Sequence, residues 1–414
     1  MELLKNTNFD FLGKKWPFII GSMVLMVAGL ASIAMKGGLK YGIDFSGGAL
    51  MYVKFAGPPP VDKLRSAISA KISGDVNVQT LTDADSNEAI ISTELKDERA
   101  LEQSRRTMVD TLQATFGEPQ NGKLDFNNAG QEAAVSRLRD PLQRASVQLA
   151  EPQLQQLVKD MLSVRNTPPR SGLLTSFDQL SGVAGLNSAI MNVLKQELYL
   201  APFAVRQVEM VGPKVAADLK TQAILATLYA LGGMLVYIAF RFEWIYGVAA
   251  VVAVFHDTIV TVGFFSLFDK EISLTVIAAL LTLVGYSMND TIVIFDRIRE
   301  NLKIHRRESL ETVINQSINQ TLSRTILTSG LTFLTVIALF LFGGQVLHGF
   351  SFALVVGILI GTYSSVFVAS PIVLFWQNYV ESKKKASSTA MAAKPLTRAE
   401  SAPVTGKPAV KKAK

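Results

Sequence analysis

Two aspartates lie where the surrounding residues are almost entirely apolar, and an arginine stands at the edge of another apolar run. Asp257 falls about halfway along the run from Ile245 to Phe268, next to His256; Asp290 lies within the run from Ile272 to Phe295; Arg324 immediately precedes the run from Thr325 to Phe342. A charge inside an apolar span costs several kcal/mol and ordinarily faces a bundle interior, so each aspartate is a candidate functional group, with Arg324 a candidate partner at the span's edge. Burial favours the neutral form of a carboxylic acid, whereas a nearby guanidinium favours the carboxylate. An aspartate that meets an arginine at variable distance can therefore bind and release a proton.

The neighbours of these residues extend the pattern. On a helix turning about 100° per residue, Thr275, Thr282, Tyr286, Asn289, Asp290 and Arg297 share one polar stripe. Thr321, Thr325, Thr328, Thr332 and Thr335 repeat at spacings of four and three on the next apolar segment, with Arg324 close by. Asp290 and Arg324 can thus meet at similar depth, with Asp257 in a secondary role and Asn289, Tyr286, Thr325 and Thr328 as supporting polar groups. Plainer uses exist for most of these: threonines glue helices together, an arginine at a helix end snorkels to the interface, and His256 can serve as a local hydrogen-bond partner. A buried carboxylate has no comparably simple structural use.

Other chemistry is absent from the pattern. His256, His305 and His348 fall in different segments, there is no cysteine, and neither a nucleophile triad nor a phosphate-binding glycine loop occurs. No catalytic residue, metal ligand or cofactor is expected, and the chain is not expected to be an enzyme. The net charge of +7 is concentrated in the tail, at Lys383 to Lys385, Lys407, Lys411, Lys412 and Lys414, which reads as a topogenic signal, not as a nucleic-acid surface.

The elements that must position these residues are membrane spans. With 49% hydrophobic and 18% charged residues in 414, the chain is too apolar for an ordinary soluble protein and too charged to be all membrane. A span needs about 20 apolar residues. Six stretches qualify: Pro17 to Met35, Thr221 to Phe240, Ile245 to Phe268, Ile272 to Phe295, Thr325 to Phe342 and Gly349 to Trp376. The first follows Lys14 and Lys15 and ends in small residues, as a cleaved signal would, but its apolar run is longer than a signal core, so an uncleaved anchor is expected. Arg297, Arg299, Lys303, Arg306 and Arg307 mark the loop after the fourth span as cytoplasmic, as the basic tail marks the C-terminus. The resulting plan is a cytoplasmic N-terminus (1–16), a first span (17–35), a periplasmic domain (36–220), five clustered spans (221–376) and a basic cytoplasmic tail (377–414), in a bacterial inner membrane with both termini inside.

Within 36–220, YGIDFSGGALMYVKF reads as a strand, a glycine turn around Gly42, Asp44, Gly47 and Gly48, and a second alternating stretch. Val61 to Ile72 and Glu98 to Phe116 read as helices, with paired strands at Val76 to Leu81 and Ala89 to Leu95 and a last strand at Val205 to Met210. Strands flanking two helices predict an α+β domain of ferredoxin-like type. It is interrupted by a Gln-rich, helical insertion at about 117–200, either a spacer or a binding surface. In the sixth span, Gly349, Ala353, Gly357, Gly361, Ser365 and Ala369 recur every four residues, a ladder that lets another helix approach closely; Gly357, Gly361 and Ser365 are its centre.

In order along the chain, YGIDFSGGAL, VGPKVAADL, FHDTIVTVGFFSLF, VGYSMNDTIVIFDRIREN, INQSINQTLSRTILTSG, LFGGQVLHGF and GTYSSVFVAS resemble the SecF family, a branch of the resistance-nodulation-division superfamily. The resemblance implies a subunit that pairs with SecD in a pseudo-symmetric assembly. That assembly associates with the SecYEG channel, together with the SecA ATPase and accessory membrane subunits, and draws unfolded preprotein outward with the proton-motive force. It also implies proton-pathway roles for Asp290 in NDT and Arg324 in SRT. The Gln-rich insertion departs from the usual pattern. Two other functions fit part of the sequence: half of a small-molecule or lipid exporter of the same superfamily, which would carry about twelve spans, and a non-transporting scaffold of the translocase, which has no evident use for Asp290.

Overall fold

In a computed structural model, residues 7–72, 76–80, 87–94, 98–117, 122–147, 149–241 and 243–392 are described. The lysines of the tail beyond Ala392, residues 1–6 and the predicted strand ends at Leu81 and Leu95 lie outside these.

The first span is α1 (Lys15–Met35). After it, Ile43–Ser46 forms a single helical turn, α2, where a strand was expected. The alternation of Tyr41, Ile43 and Phe45 mimics a strand, but Gly42 and Gly47 bracket the turn, and Phe45 N and Ser46 N donate back to Gly42 O. The sheet follows as β1 (Gly48–Phe55), then helix α3 (Val61–Ser69), β2 (Val76–Thr80), β3 (Glu88–Glu94) and helix α4 (Glu98–Phe116).

An insertion then runs through β4 (Leu124–Asp125), α5 (Gln131–Arg144), α6 (Glu151–Asn166), α7 (Ser188–Glu197) and β5 (Leu198–Tyr199) before the last sheet strand, β6 (Phe203–Val211). The order β2-β3-β1-β6, with every neighbour antiparallel, is the ferredoxin-like arrangement. Met51, Val53, Ile91 and Phe203 line the face packed against Leu64, Ile68, Met108 and Leu112 of the two helices. The insertion buries its own core around Leu138, Val158, Met161 and Leu194.

The remaining spans are α8 (Pro213–Arg241), α9 (Trp244–Leu267), α10 (Leu274–Ile304), α11 (Leu310–Phe342) and a composite sixth helix. The last consists of α12 (Gly344–Ser364), a π-helical segment Ser365–Ala369 and α13 (Ser370–Ala392). Among the described residues the molecule is therefore mostly helical, with six helices long and apolar enough to cross a membrane and a small antiparallel sheet domain between the first and second of them. Helices α10 and α11 are longer than the hydropathy pattern suggests, because their polar ends, Asp296 to Ile304 and Leu310 to Arg324, stay helical beyond the apolar run.

The segment ahead of α1 crosses α11 and is gripped by two asparagines one turn apart. Asn319 accepts from Phe9 N at 2.9 Å and donates to Phe9 O at 2.8 Å, while Asn315 accepts from Phe11 N at 2.9 Å. Leu12 is buried, and Lys15 pairs with Glu311 at 2.9 Å.

Candidate functional site

Asp257 is 1% exposed and stands at the meeting point of four helices. Its Oδ2 accepts from Ser287 of α10 at 2.5 Å and from Ser364 of α12 at 2.7 Å, and its Oδ1 lies 2.9 Å from His256 Nδ1. The other ring nitrogen, His256 Nε2, is hydrogen-bonded to Ser22 of α1. The π-helical segment helps build this site: it begins just after Ser364, and Ser370 donates five residues back to Ser365 O. Ser364 turns to Asp257 while Ser365 meets Thr291 at 2.9 Å, so adjacent serines serve different partners across α9 and α10. Such π insertions are frequent where a helix must place groups that a regular turn would misdirect.

Close packing holds these helices in register. A Cβ on Gly357 would meet both Leu283 methyl carbons at 2.6 Å, and one on Gly361 would meet Ser287 Cβ at 3.1 Å. The small-residue ladder therefore faces α10 of the same chain, with Ser365 adding its contact to Thr291. On the opposite side of α9, a Cβ on Gly29 would lie 2.7 Å from Gly263 Cα. Backbone, not a movable side chain, limits that approach.

Asp290, 3% exposed, lies on the same helix as Ser287 but turns toward α11. Among the described residues its side-chain partner is Ser329, whose Oγ donates to Oδ2 at 2.9 Å. The buried polar face of α11 is Thr321, Thr325 and Ser329, at intervals of four. Arg324 is exposed, and no ion pair joins it to Asp290 among the described residues. Of the expected supporting groups, Thr325 is buried near the acid, and the Tyr286 hydroxyl is buried without a hydrogen-bond partner among the described residues. Asn289 and Thr328 are exposed, with Thr328 donating to its own helix at Arg324 O.

The glycine motif after α1 is a docking element. Gly48 has φ +140°, and a Cβ there would come 1.9 Å from Thr93 O, so no other residue fits where β1 enters the sheet beside β3. Gly42 N donates to Ile272 O at 2.9 Å, and Ile272 N to Lys40 O at 2.8 Å. Asp44 accepts from Leu274 N at 2.8 Å, at the start of α10. The loop between α9 and α10 is thus held by this motif. Within it, Asp269 receives both Lys36 and Lys40; the Lys40 hydrogen bond, more than burial, sets its carboxyl below the usual range. Glu271 accepts from Asn77 and Gln79 of β2 at 3.1 and 3.3 Å, and its desolvation pushes its carboxyl above the usual value. Tyr52, on the same sheet face, is pushed up to about 12 by burial and then by Glu209, Glu271 and Asp44.

Sequence reasoning missed Ser22, Ser287, Ser364, Ser329 and Glu271. Isolated serines in apolar helices are ordinarily packing residues, and nothing local distinguishes these from them. The usable signal was their coincidence with the small-residue ladder and with aspartates on neighbouring spans.

Residues 32–59 match the family model of the SecD/SecF GG motif, and residues 193–379 match that of the C-terminal region of the protein export membrane proteins SecD and SecF. The protein translocase subunit SecF of Koribacter versatilis is 50% identical over 390 residues, 92% of this chain and 94% of the relative. The chain belongs to the SecF family. The SecF of Calditerrivibrio nitroreducens is 38% identical over 90% of this chain and 96% of its own length. The crystal structure of SecDF from Thermus thermophilus, described as a translocon-associated membrane protein, matches with TM-score 0.60 and 30% identity. That match covers 91% of this chain and 40% of the SecDF chain, so the present chain spans well under half of that longer protein. The function is accordingly that of a translocase subunit of the SecDF type, and a half-exporter is not favoured. SecF proteins are named as translocase subunits, which is not an enzyme role.

Proposed function

We propose that this chain pairs with SecD and uses the proton-motive force to help unfolded preprotein leave the SecYEG channel, downstream of the SecA ATPase, with Asp290 as the acid that takes up and releases the proton. The observation that carries the reading is Asp290 itself: a carboxylate buried within a span and held by one serine, with Arg324 about one and a half turns along α11 from that serine. Arg324 modulates the acid by approaching or withdrawing, and Asp257 anchors the helices around it. One charge crossing 100 mV releases about 2.3 kcal/mol, enough to bias a conformational change of a few kcal/mol.

A partner within the membrane is supported by the exposed face of α10 and α11. Thr275, Ala278, Thr282, Gly285 and Asn289 are exposed along one, and Arg324, Thr328 and Thr335 along the other. Small and polar residues in such a stripe suit another helix bundle better than lipid. Both termini are cytoplasmic in this reading and the sheet domain with its insertion is periplasmic. Trp16, Trp244 and Trp376 all lie toward the ends of spans expected inside, as interfacial anchors. Lys36 and Lys40, on the outer side, are both paired with Asp269.

Asp290→Asn keeps the shape and the hydrogen bond but cannot cycle a proton. In inverted membrane vesicles with SecD and the channel present, it should assemble normally and lose the force-dependent part of preprotein export. Full force-dependent export by that variant would overturn the reading.

A further inference from the structure

Three carboxylate or backbone ties converge on the short connection between α9 and α10. The backbone of Ile272 is clamped by Lys40 O and Gly42 N. The amide of Leu274, at the first turn of α10, is capped by Asp44 from the turn that leads into β1. Glu271 reaches out to the edge strand of the sheet, accepting from Asn77 and Gln79. On its far side the connection is braced by Lys270, 3.1 Å from His348 Nε2 and stacked over Phe352 of α12.

From this connection α10 runs as one uninterrupted helix, and Asp290 sits sixteen residues into it, a span of about 24 Å. A helix of that length transmits an axial shift or rotation to its end with little loss, because its hydrogen bonds resist compression. The sheet's covalent routes to the membrane helices are α1 through α2 into β1 and β6 into α8, and neither α1 nor α8 carries either aspartate.

We propose that Asp269, Lys270 and Glu271 form the joint through which movement of α10 reaches the sheet domain, with Glu271 as the residue that grips the sheet. The joint rests on the proposed role of Asp290 for its driving force, but its existence is a separate mechanical matter. Apart from the Lys270 brace to α12, its ties connect the start of α10 and the connection before it to the glycine motif or to β2. A displacement of α10 must therefore either carry the sheet with it or exchange the Glu271 hydrogen bonds for new ones. While the Glu271 hydrogen bonds hold, the sheet follows α10, and where they are lost the movement stops at the connection.

The test uses the full chain with SecD in membranes, and the absence of native cysteine makes it clean. Cysteines at Asn77→Cys and Glu271→Cys are bridged with a short bifunctional methanethiosulfonate, which reductant removes. The reduced pair lacks the Glu271 grip and should fall about tenfold below the native chain in force-dependent export, and bridging should restore it severalfold. Equal export before and after reduction, with bridging verified by mass, would overturn the joint. Running Asp290→Asn in parallel separates the two readings. Loss of export on reduction together with full export by Asp290→Asn would leave the joint standing and remove the proton role of Asp290. A reduced pair that exports as well as the native chain removes the joint whatever Asp290→Asn does.

Discussion

Two buried carboxylates sit on the two sides of α10, and their surroundings could hardly differ more. Asp257 is saturated: two serine hydroxyls and an imidazole hold it, the imidazole is held in turn by α1, and tight glycine contacts fix the helices around it. Asp290 has Ser329, a tyrosine hydroxyl nearby with no hydrogen-bond partner among the described residues, and an arginine that is exposed on the surface of α11. A saturated carboxylate loses much by any change of geometry or protonation. One with a single partner has several states of similar free energy. The first is suited to hold four helices in register; the second is suited to change.

The largest expected effect follows from removing the saturated acid. Asp257→Ala leaves Ser287, Ser364 and His256 buried without their acceptor, and should lower stability by about 3–5 kcal/mol, by analogy with breaking a buried ion pair. Heat-induced loss of the detergent-solubilised protein measures it. Asp290→Asn should fall within about 1 kcal/mol of the parent in the same assay. Equal destabilisation by the two changes would dissolve the contrast between them.

Next in size is the wall that holds Ser287 in place. Gly357→Leu must displace Leu283 and should cost about 1–3 kcal/mol by overpacking, with separation of α10 from α12 read by cross-linking of introduced cysteines. Heat stability equal to the parent would mean that the two helices have freedom to move apart.

A finer probe deletes one hydroxyl on each side. Ser287→Ala should cost about 1–3 kcal/mol, since it strips a hydrogen bond from a fully enclosed carboxylate, and Ser329→Ala about 1 kcal/mol. The reverse order would show that Asp290 is the more tightly held of the two.

The smallest effect concerns the carboxylate outside the membrane. Glu271 gains proton affinity through desolvation in the docked arrangement, so docking is linked to protonation. It strengthens as pH falls through that raised value and weakens as pH rises above it. Lys40 opposes the shift and Asp269 adds to it; Tyr52, Asp44 and Glu209 face the same side of the sheet. Leu50→Cys, on that face, should react with an impermeant maleimide relatively more slowly at acid pH than the same variant carrying Glu271→Gln. Identical pH profiles in the two backgrounds would remove Glu271 as the linked group.

The sequence was most legible where one physical requirement acts alone. The spans are set by the thickness of the bilayer, and the sheet strands by alternation, so both were readable from residues in order. The burial of Asp290 was readable because an ionisable residue in an apolar run has few alternatives. The one-turn helix at Ile43–Ser46 was not, since three apolar residues at alternate positions satisfy a strand as well as they satisfy this turn. The centre of the Asp257 site was hidden for another reason. Ser22, Ser287 and Ser364 come from three separate helices, and only the packing of glycine against leucine and backbone brings them together. Arg324 belongs to a different class: its residue type was informative, but its exposure depends on a face of α11 that the hydropathy pattern does not orient.

The grip of Asn315 and Asn319 on the segment ahead of α1 has an evolutionary side. Both asparagines contact main-chain atoms of Phe9 and Phe11, not their rings. Residue 9, a phenylalanine that is 56% exposed, can therefore drift among many side chains without loosening the hold, whereas a proline there would forfeit the amide that Asn319 needs. Related chains should show a variable letter at this position facing two invariant asparagines, a pattern that covariation between side chains would never reveal.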